Sequence, residues 1–258
     1  MKLNTQGLRE VKLWEKAGYA LPQFDREKVT EATKENPFWV HFGAGNLFRA
    51  FQANVVQKLL NEGILDRGLV VAEGYDYEIV EKMNHPHDDY SILVTLKADG
   101  TVEKTVVGSV VESLTVDSGN EADFGRLKEI FTSPSLQMVS FTITEKGYAL
   151  QKSDGTWFPF VESDIQNGPD KAVGAMAVLT AMLYERYKAG RYPLALVSMD
   201  NCSQNGAKLR ESVLTMTAKW QKSGFVDEGF AAYVSDERTV AFPWTMIDKI
   251  TPRPSEQI

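Results

Sequence analysis

Cysteine is almost missing from this chain: Cys202 stands alone. No disulfide can form within the chain, and a thiolate-based zinc site has no set of ligands to draw on. Histidine is nearly as scarce, with only His41, His85 and His87 available as imidazole bases or metal ligands. No block of like charge stands out among 28 basic and 35 acidic residues, and the net charge is −7. An electrostatic footprint for nucleic acid is therefore absent. No window approaches the ~18 consecutive apolar residues of a membrane span. The polar start Met1-Lys2-Leu3-Asn4-Thr5 lacks the apolar core of a signal peptide. Together these absences lead us to expect a cytoplasmic protein with neither nucleic acid nor membrane as a partner.

What is present reads as an ordinary globular chain, 43% hydrophobic and 24% charged over 258 residues. That length suits one large domain, or one domain with a small appendage. Residues 1–36 are polar, contain Pro22, and read as an N-terminal arm with some helix. Residues 37–258 read as a single domain. Its first feature is the apolar run Phe38-Trp39-Val40-His41-Phe42, which suits a strand buried on both faces. Gly43-Ala44-Gly45-Asn46 follows, and then Leu47, Phe48, Phe51, Val55, Leu59 and Leu60 recur at helical spacing. Gly63 is a plausible C-cap for that helix. A second buried strand runs over 68–72 and ends at Glu73. The whole is one βαβ unit of about the expected ~30 residues.

The pattern changes over 90–116, where alternation around Ala98-Asp99-Gly100 predicts an antiparallel excursion. Helix is predicted over 121–132, and a buried strand from Leu136 to Phe141. A long amphipathic helix is predicted over 169–189, with Val173, Met176, Ala177, Leu179 and Leu183 on its apolar side. A strand from Leu194 to Met199 and a helix over 204–222 complete the reading. Alternating strands and helices argue for a Rossmann-like, doubly wound α/β fold with a mainly parallel sheet.

Gly43-x-Gly45 between strand and helix is the strongest local signal. A dinucleotide pyrophosphate needs backbone N–H groups and a close approach that only glycine permits. The usual third glycine is replaced by Phe48, so the alternative is a tight turn in an unrelated α/β domain. Glu73 and Asp76 lie just past the second strand, where a carboxylate can accept hydrogen bonds from an adenosine ribose and repel the extra phosphate of NADP. Arg49 sits in the first turn of the glycine-loop helix. A cation is poorly placed there for the helix dipole and makes better sense facing a phosphate or carboxylate.

Asp200-Asn201 end a strand at the edge where α/β sheets place ligand-contacting residues. Asn201 can donate to a developing oxyanion, or it can serve as an Asx-turn residue capping the next helix. Asp248 lies between apolar neighbours, either as a functional acid or as a paired structural carboxylate. His85-Pro86-His87-Asp88 reads as a polar loop rather than a metal site, because no third clustered ligand is visible. No metal is expected.

Four stretches taken together resemble the mannitol dehydrogenase family of polyol and sugar-acid dehydrogenases. They are His41 to Ala53 (HFGAGNLFRAFQA), Ser140 to Tyr148 (SFTITEKGY), Ser198-Met199-Asp200-Asn201 with Asn205-Gly206, and Phe242 to Pro252 (FPWTMIDKITP). They occur in the family's order and span most of the chain. The resemblance implies an NAD-dependent enzyme transferring hydride at a sugar-acid or polyol carbon. Within the family it is nearest to the branch that interconverts D-mannonate and D-fructuronate, with tagaturonate/altronate and mannitol dehydrogenases as alternatives.

It further implies that Gly43, Gly45, Asn46, Leu47, Phe48 and Arg49 line the cofactor phosphates and that Glu73 or Asp76 meets the ribose. Thr142, Thr144, Glu145 and Lys146 would lie at the nicotinamide side. Asn201 would polarise the reacting carbonyl or hydroxyl, and Asp248 would orient the network around it. One departure stands out. The family's helical C-terminal domain, with its catalytic lysine in a Lys-x4-Asn-x2-His pattern, has no counterpart in this sequence, and Lys146 and Lys249 are not in that context. We therefore read the chain as the nucleotide-binding domain alone, whose partner is the missing domain or, through an exposed apolar surface, another copy. A non-catalytic NAD-sensing domain and an S-adenosylmethionine-dependent methyltransferase are the readings from other classes. The second lacks the acid usually found just before the glycines.

Overall fold

Residues 1–248 are described in the computed structural model. They gather into two compact units, residues 1–114 and 115–248.

In the first unit, residues 1–36 form helix α1 (Val11–Lys16), the short strand β1 (Tyr19–Ala20) and helix α2 (Arg26–Glu35). The Asp25 side chain caps α2 by accepting the Lys28 N–H, as N-cap carboxylates do. Trp14 of α1 is buried against Tyr90 and Val106. Strands β2 (Trp39–Phe42) and β3 (Leu69–Glu73) run parallel, with His41 opposite Val71. Every β3 residue is buried, so the continuous apolar run is a strand covered on both faces.

Helix α3 (Ala53–Asn61) joins these two strands. It ends where Gly63 turns left-handed at φ +67°, with the Gly63 N–H donating to Leu60 O and the Ile64 N–H to Leu59 O. Phe48, Val56, Leu60, Leu69 and Val71 share one apolar core. The expected excursion is the antiparallel pair β4 (Ser91–Leu96) and β5 (Val102–Val107), turning at Gly100, φ +84°. Strand β1 lies parallel to the free edge of β5. Strand β6 (Val110–Thr115) neighbours β3 in the order β6-β3-β2.

In the second unit, helix α4 (Glu121–Thr132) begins at the Asn120 cap, which accepts the Asp123 N–H. Strand β7 (Met138–Phe141), the five-residue helix α5 (Thr144–Tyr148), helix α6 (Pro159–Asn167) and helix α7 (Ala175–Gly190) follow. Strand β8 (Leu194–Ser198), helix α8 (Asn205–Lys222), helix α9 (Glu228–Ser235) and strand β9 (Val240–Ala241) complete the unit. Strands β7, β8 and β9 pair in that order, all parallel.

Helix α7 departs from expectation in two ways. Residues Pro169–Lys171 form a separate 3-10 turn, and Asp164 captures the N–H groups of Val173 and Gly174, so the α-helix starts only at Ala175. Val173, expected on the apolar side, lies before the helix and is 67% exposed. The helix is also not amphipathic: Met176 to Leu183 are buried without interruption, leaving no polar stripe for a 3.6-residue period to show. Arg186 is buried inside the same helix, where its guanidinium donates five hydrogen bonds to the carbonyls of Phe131, Ser133, Leu136, Tyr192 and Pro193. Among the described residues no helix is long and apolar enough to cross a membrane.

Candidate active site

The glycine turn of the first unit is built around a buried carboxylate. Glu73 ends β3 at 4% exposure. Its Oε2 accepts the Ala44 N–H at 2.7 Å, and Oε1 accepts the N–H groups of Tyr75 at 2.9 Å and Asp76 at 3.2 Å. One side chain thereby fastens the glycine turn to the turn after β3. Asp76 is exposed. The pair that sequence could not separate thus divides into an internal acid, Glu73, and an outward one, Asp76.

The two glycines serve different needs. Gly43 has φ +108°, a conformation that disfavours any side chain, and its N–H donates to Ala72 O at 2.9 Å. Gly45 lies outside the left-handed region, and a methyl group there would meet no protein atom within 4 Å. Within the described protein nothing steric requires glycine at 45.

Phe48, standing where the fingerprint has its third glycine, is buried and stacks on His41 with ring centroids 4.3 Å apart. Phe48–Gln52 form a π-turn, a feature that often marks functional sites. Burial holds the His41 pKa down at about 3. Leu47 is half-buried and Asn46 exposed. The half-buried Arg49 donates to Asn46 Oδ1 at 2.5 Å and points a second nitrogen at Met83 Sδ, 3.8 Å away. Among the described residues Arg49 has no carboxylate partner; its contacts are Asn46 and Met83. Partial desolvation lowers its pKa, as burial of a cation does.

In the second unit, a second carboxylate organises the turn after β7. Asp200 follows β8 and is 8% exposed. Its Oδ2 accepts the Ile143 N–H at 3.0 Å, and Oδ1 accepts the Thr144 N–H at 2.9 Å. The Tyr148 hydroxyl, at the end of α5, donates to Oδ2 at 2.5 Å and lies 2.8 Å from Ser198 Oγ. Burial pushes the Tyr148 phenol well up, with the Asp200 charge adding to it. Thr144 is held at φ +65°, which costs a non-glycine residue roughly 1–2 kcal/mol. Thr144, Glu145 and Lys146 are exposed, and Thr142 is half-buried. Glu145 forms an ion pair with Lys208. A cavity of about 290 Å³ borders this helix, lined by Glu145, Tyr148, Trp157, Lys208 and Glu211 among others.

Asn201 is exposed directly after Asp200. It does not cap α8, whose N-cap is Gln204 in a left-handed conformation. Asn205 does the fastening: its Nδ2 lies 2.9 Å from Thr245 Oγ1 and 3.2 Å from Asp200 O, and its Oδ1 accepts the Gly206 and Thr245 N–H groups. A side chain at 206 would strike Phe242 O and Pro243 O at 2.7 Å, which explains the Asn205-Gly206 pair. Asp248, three residues past Thr245, is exposed and is the last described residue. The remainder of the fourth stretch, from Lys249, lies outside the described residues.

Residues with no role assigned from sequence are Ser198, Asn205 and Thr245, together with the Asp200 carboxylate and the Tyr148 hydroxyl. Only their presence inside the quoted stretches marked them. His85 and His87 each turn a ring nitrogen to a backbone carbonyl, of Ser113 and Leu3. No group of three or more His, Cys, Asp or Glu able to hold a metal occurs among the described residues. Burial raises the Cys202 thiol pKa, which is unfavourable for a nucleophile.

Residues 38–258 match the model of the mannitol dehydrogenase Rossmann domain. The chain is 50% identical over its whole length to the D-mannonate oxidoreductase of Thermotoga maritima, covering 47% of that protein. It is 30% identical to the mannitol 2-dehydrogenase of Cereibacter sphaeroides, over 90% of this chain and 45% of the relative. A solved structure of Pseudomonas fluorescens mannitol 2-dehydrogenase, a ternary complex with NAD and D-mannitol, superimposes with a TM-score of 0.80 at 26% identity. That likeness covers the whole of this chain and 49% of the other. The chain therefore spans about half the length of the relatives it matches.

Proposed function

Since the chain belongs to the mannitol dehydrogenase Rossmann-domain family, we propose that it is the nucleotide-binding half of an NAD-dependent oxidoreductase interconverting D-mannonate and D-fructuronate. The observation that carries this reading is the 50% identity, along the entire chain, to a D-mannonate oxidoreductase. The lower identity to mannitol 2-dehydrogenase makes a polyol the second choice of substrate. Expected from sequence and supported by few cysteines, the location is cytoplasmic.

The residues fit the cofactor. The turn shaped at Gly43, whose own N–H and that of Ala44 are held by Ala72 O and Glu73, lets the pyrophosphate approach at Gly45, and Arg49 supplies a positive charge. Asn46, Leu47 and Phe48 shape that turn. Asp76 presents its carboxylate to the ribose while Glu73 holds the loop beneath it. Thr142, Thr144, Glu145 and Lys146 take the nicotinamide end. NAD, when bound, is the hydride acceptor for the secondary alcohol of the sugar acid. Asn201 donates a hydrogen bond to the oxygen on which negative charge develops, and Asp248 orients that network. The general base that takes the hydroxyl proton belongs, in this reading, to the half of the enzyme that the relatives carry beyond this one.

Titration of the chain with NADH and then NADPH, followed by energy transfer from tryptophan, tests the reading. We expect saturable NADH binding, with NADPH weaker by about tenfold or more through repulsion from Asp76. A chain that melts cooperatively yet binds neither nucleotide would overturn it.

A further inference from the structure

We infer that Asp200 is a positioning residue of the active site: its buried carboxylate sets the conformation of the Thr142–Lys146 turn and ties that turn to Asn201. The inference rests on the nucleotide reading above, because it concerns the residues assigned to the nicotinamide end and to the reacting oxygen.

The geometry is specific. Successive backbone N–H groups of Ile143 and Thr144 converge on the two oxygens of one carboxylate. Such convergence requires a change of backbone hand between the two residues, and it is present: Ile143 is at φ −115°, ψ 9°, and Thr144 at φ +65°. This is an anion-binding nest, and the anion is supplied by the protein itself. The same carboxylate also receives the Tyr148 hydroxyl. Asp200 therefore holds both ends of α5, a helix of five residues and far too short to persist unaided. Its own backbone is held in turn, since Asp200 O accepts from Asn205 Nδ2 and from the Cys202 N–H. Asn201, the next residue, is thus anchored on its N-terminal side by the group that shapes the turn. The coincidence of a strained residue, a converging N–H pair and the neighbouring amide points to register control.

The test uses the 258-residue chain with Asp200→Asn and, as a milder lesion, Tyr148→Phe. The probes are NADH and ADP-ribose, which lacks the nicotinamide. We expect NADH affinity to fall about tenfold in Asp200→Asn, the loss of a charge-assisted contact, and by a smaller factor in Tyr148→Phe. ADP-ribose affinity should stay within about twofold in both, and the fluorescence anisotropy of bound NADH should drop. Unchanged NADH affinity and anisotropy in the folded variants would overturn the inference, as would equal losses for NADH and ADP-ribose. If Asp200→Asn fails to fold, Tyr148→Phe decides. If the unaltered chain binds neither probe, the nucleotide reading itself fails, and this inference with it.

Discussion

Replacing Gly45 with alanine separates a structural glycine from one kept for a ligand, because the two roles give opposite signs. Within the described protein the new methyl group meets nothing within 4 Å, and the backbone at 45 is outside the left-handed region. Alanine therefore only removes freedom from the unfolded chain, which stabilises by about 0.4–1 kcal/mol. For a chain of this size that is a rise in Tm of about 1–4 °C. Binding should move the other way. A methyl group where a pyrophosphate oxygen approaches displaces it from at least one backbone N–H. Each such charge-assisted hydrogen bond is worth about 1.5–3 kcal/mol, a loss of roughly ten- to a hundredfold in NADH affinity. Thermal melting and NADH titration of the same preparation read both quantities. A variant that binds NADH within twofold of the unaltered chain would refute the phosphate role of this turn. One destabilised by more than 1 kcal/mol would show that the protein itself needs the glycine.

Two further outcomes concern the scaffold. Because burial holds the folded His41 near a pKa of 3 while the unfolded chain protonates near 6.5, its contribution to stability is complete above pH 6.5 and is lost as pH falls toward 3. Urea unfolding at pH 7.5 and 5.5 should show an acid loss about 1 kcal/mol larger in the unaltered chain than in His41→Gln; equal losses would count against a neutral, buried His41. Arg186→Met strands five carbonyls and should cost about 3–5 kcal/mol, or roughly 6–20 °C in Tm. Arg186→Lys, with three donors, should recover only part of that, and a Met variant melting within 2 °C of the unaltered chain would remove Arg186 from the fold's supports.

The elements legible in the sequence are those whose signal is local. Strands β2 and β3 announce themselves as apolar runs, α3 by its period and its closing Gly63, and the β4–β5 turn by Asp99-Gly100. The α4 boundaries, Glu121 to Thr132, fall where the reading puts them, since Asn120 caps one end. Helix α7 differs from the sequence pattern because its start depends on Asp164, a residue some ten positions away that holds Val173 and Gly174 out of the helix, and because a helix buried along most of its length has little amphipathic contrast to detect.

The same distinction separates the parts of the candidate site. Gly43, Gly45 and Arg49 can be read from a dozen contiguous residues, because all three lie on one turn and the helical segment that follows. The carboxylates cannot. Glu73 ends β3 and Asp200 lies two residues past β8, the place where a sequence argument looks for groups offered to a ligand, yet both are buried and each accepts backbone N–H groups from far along the chain, 29 residues away for Glu73 and 56 or 57 for Asp200. Their neighbours Asp76 and Asn201 face outward instead. A strand end of this kind therefore supplies two groups with different duties. The first acid fixes a loop that glycine or a left-handed threonine would otherwise leave free. The second, polar and exposed, is then presented at a position that loop no longer varies. An acid read singly at a strand terminus is ambiguous for that reason, and the pair Asp200-Asn201 is informative only once the carboxylate's distant partners are known.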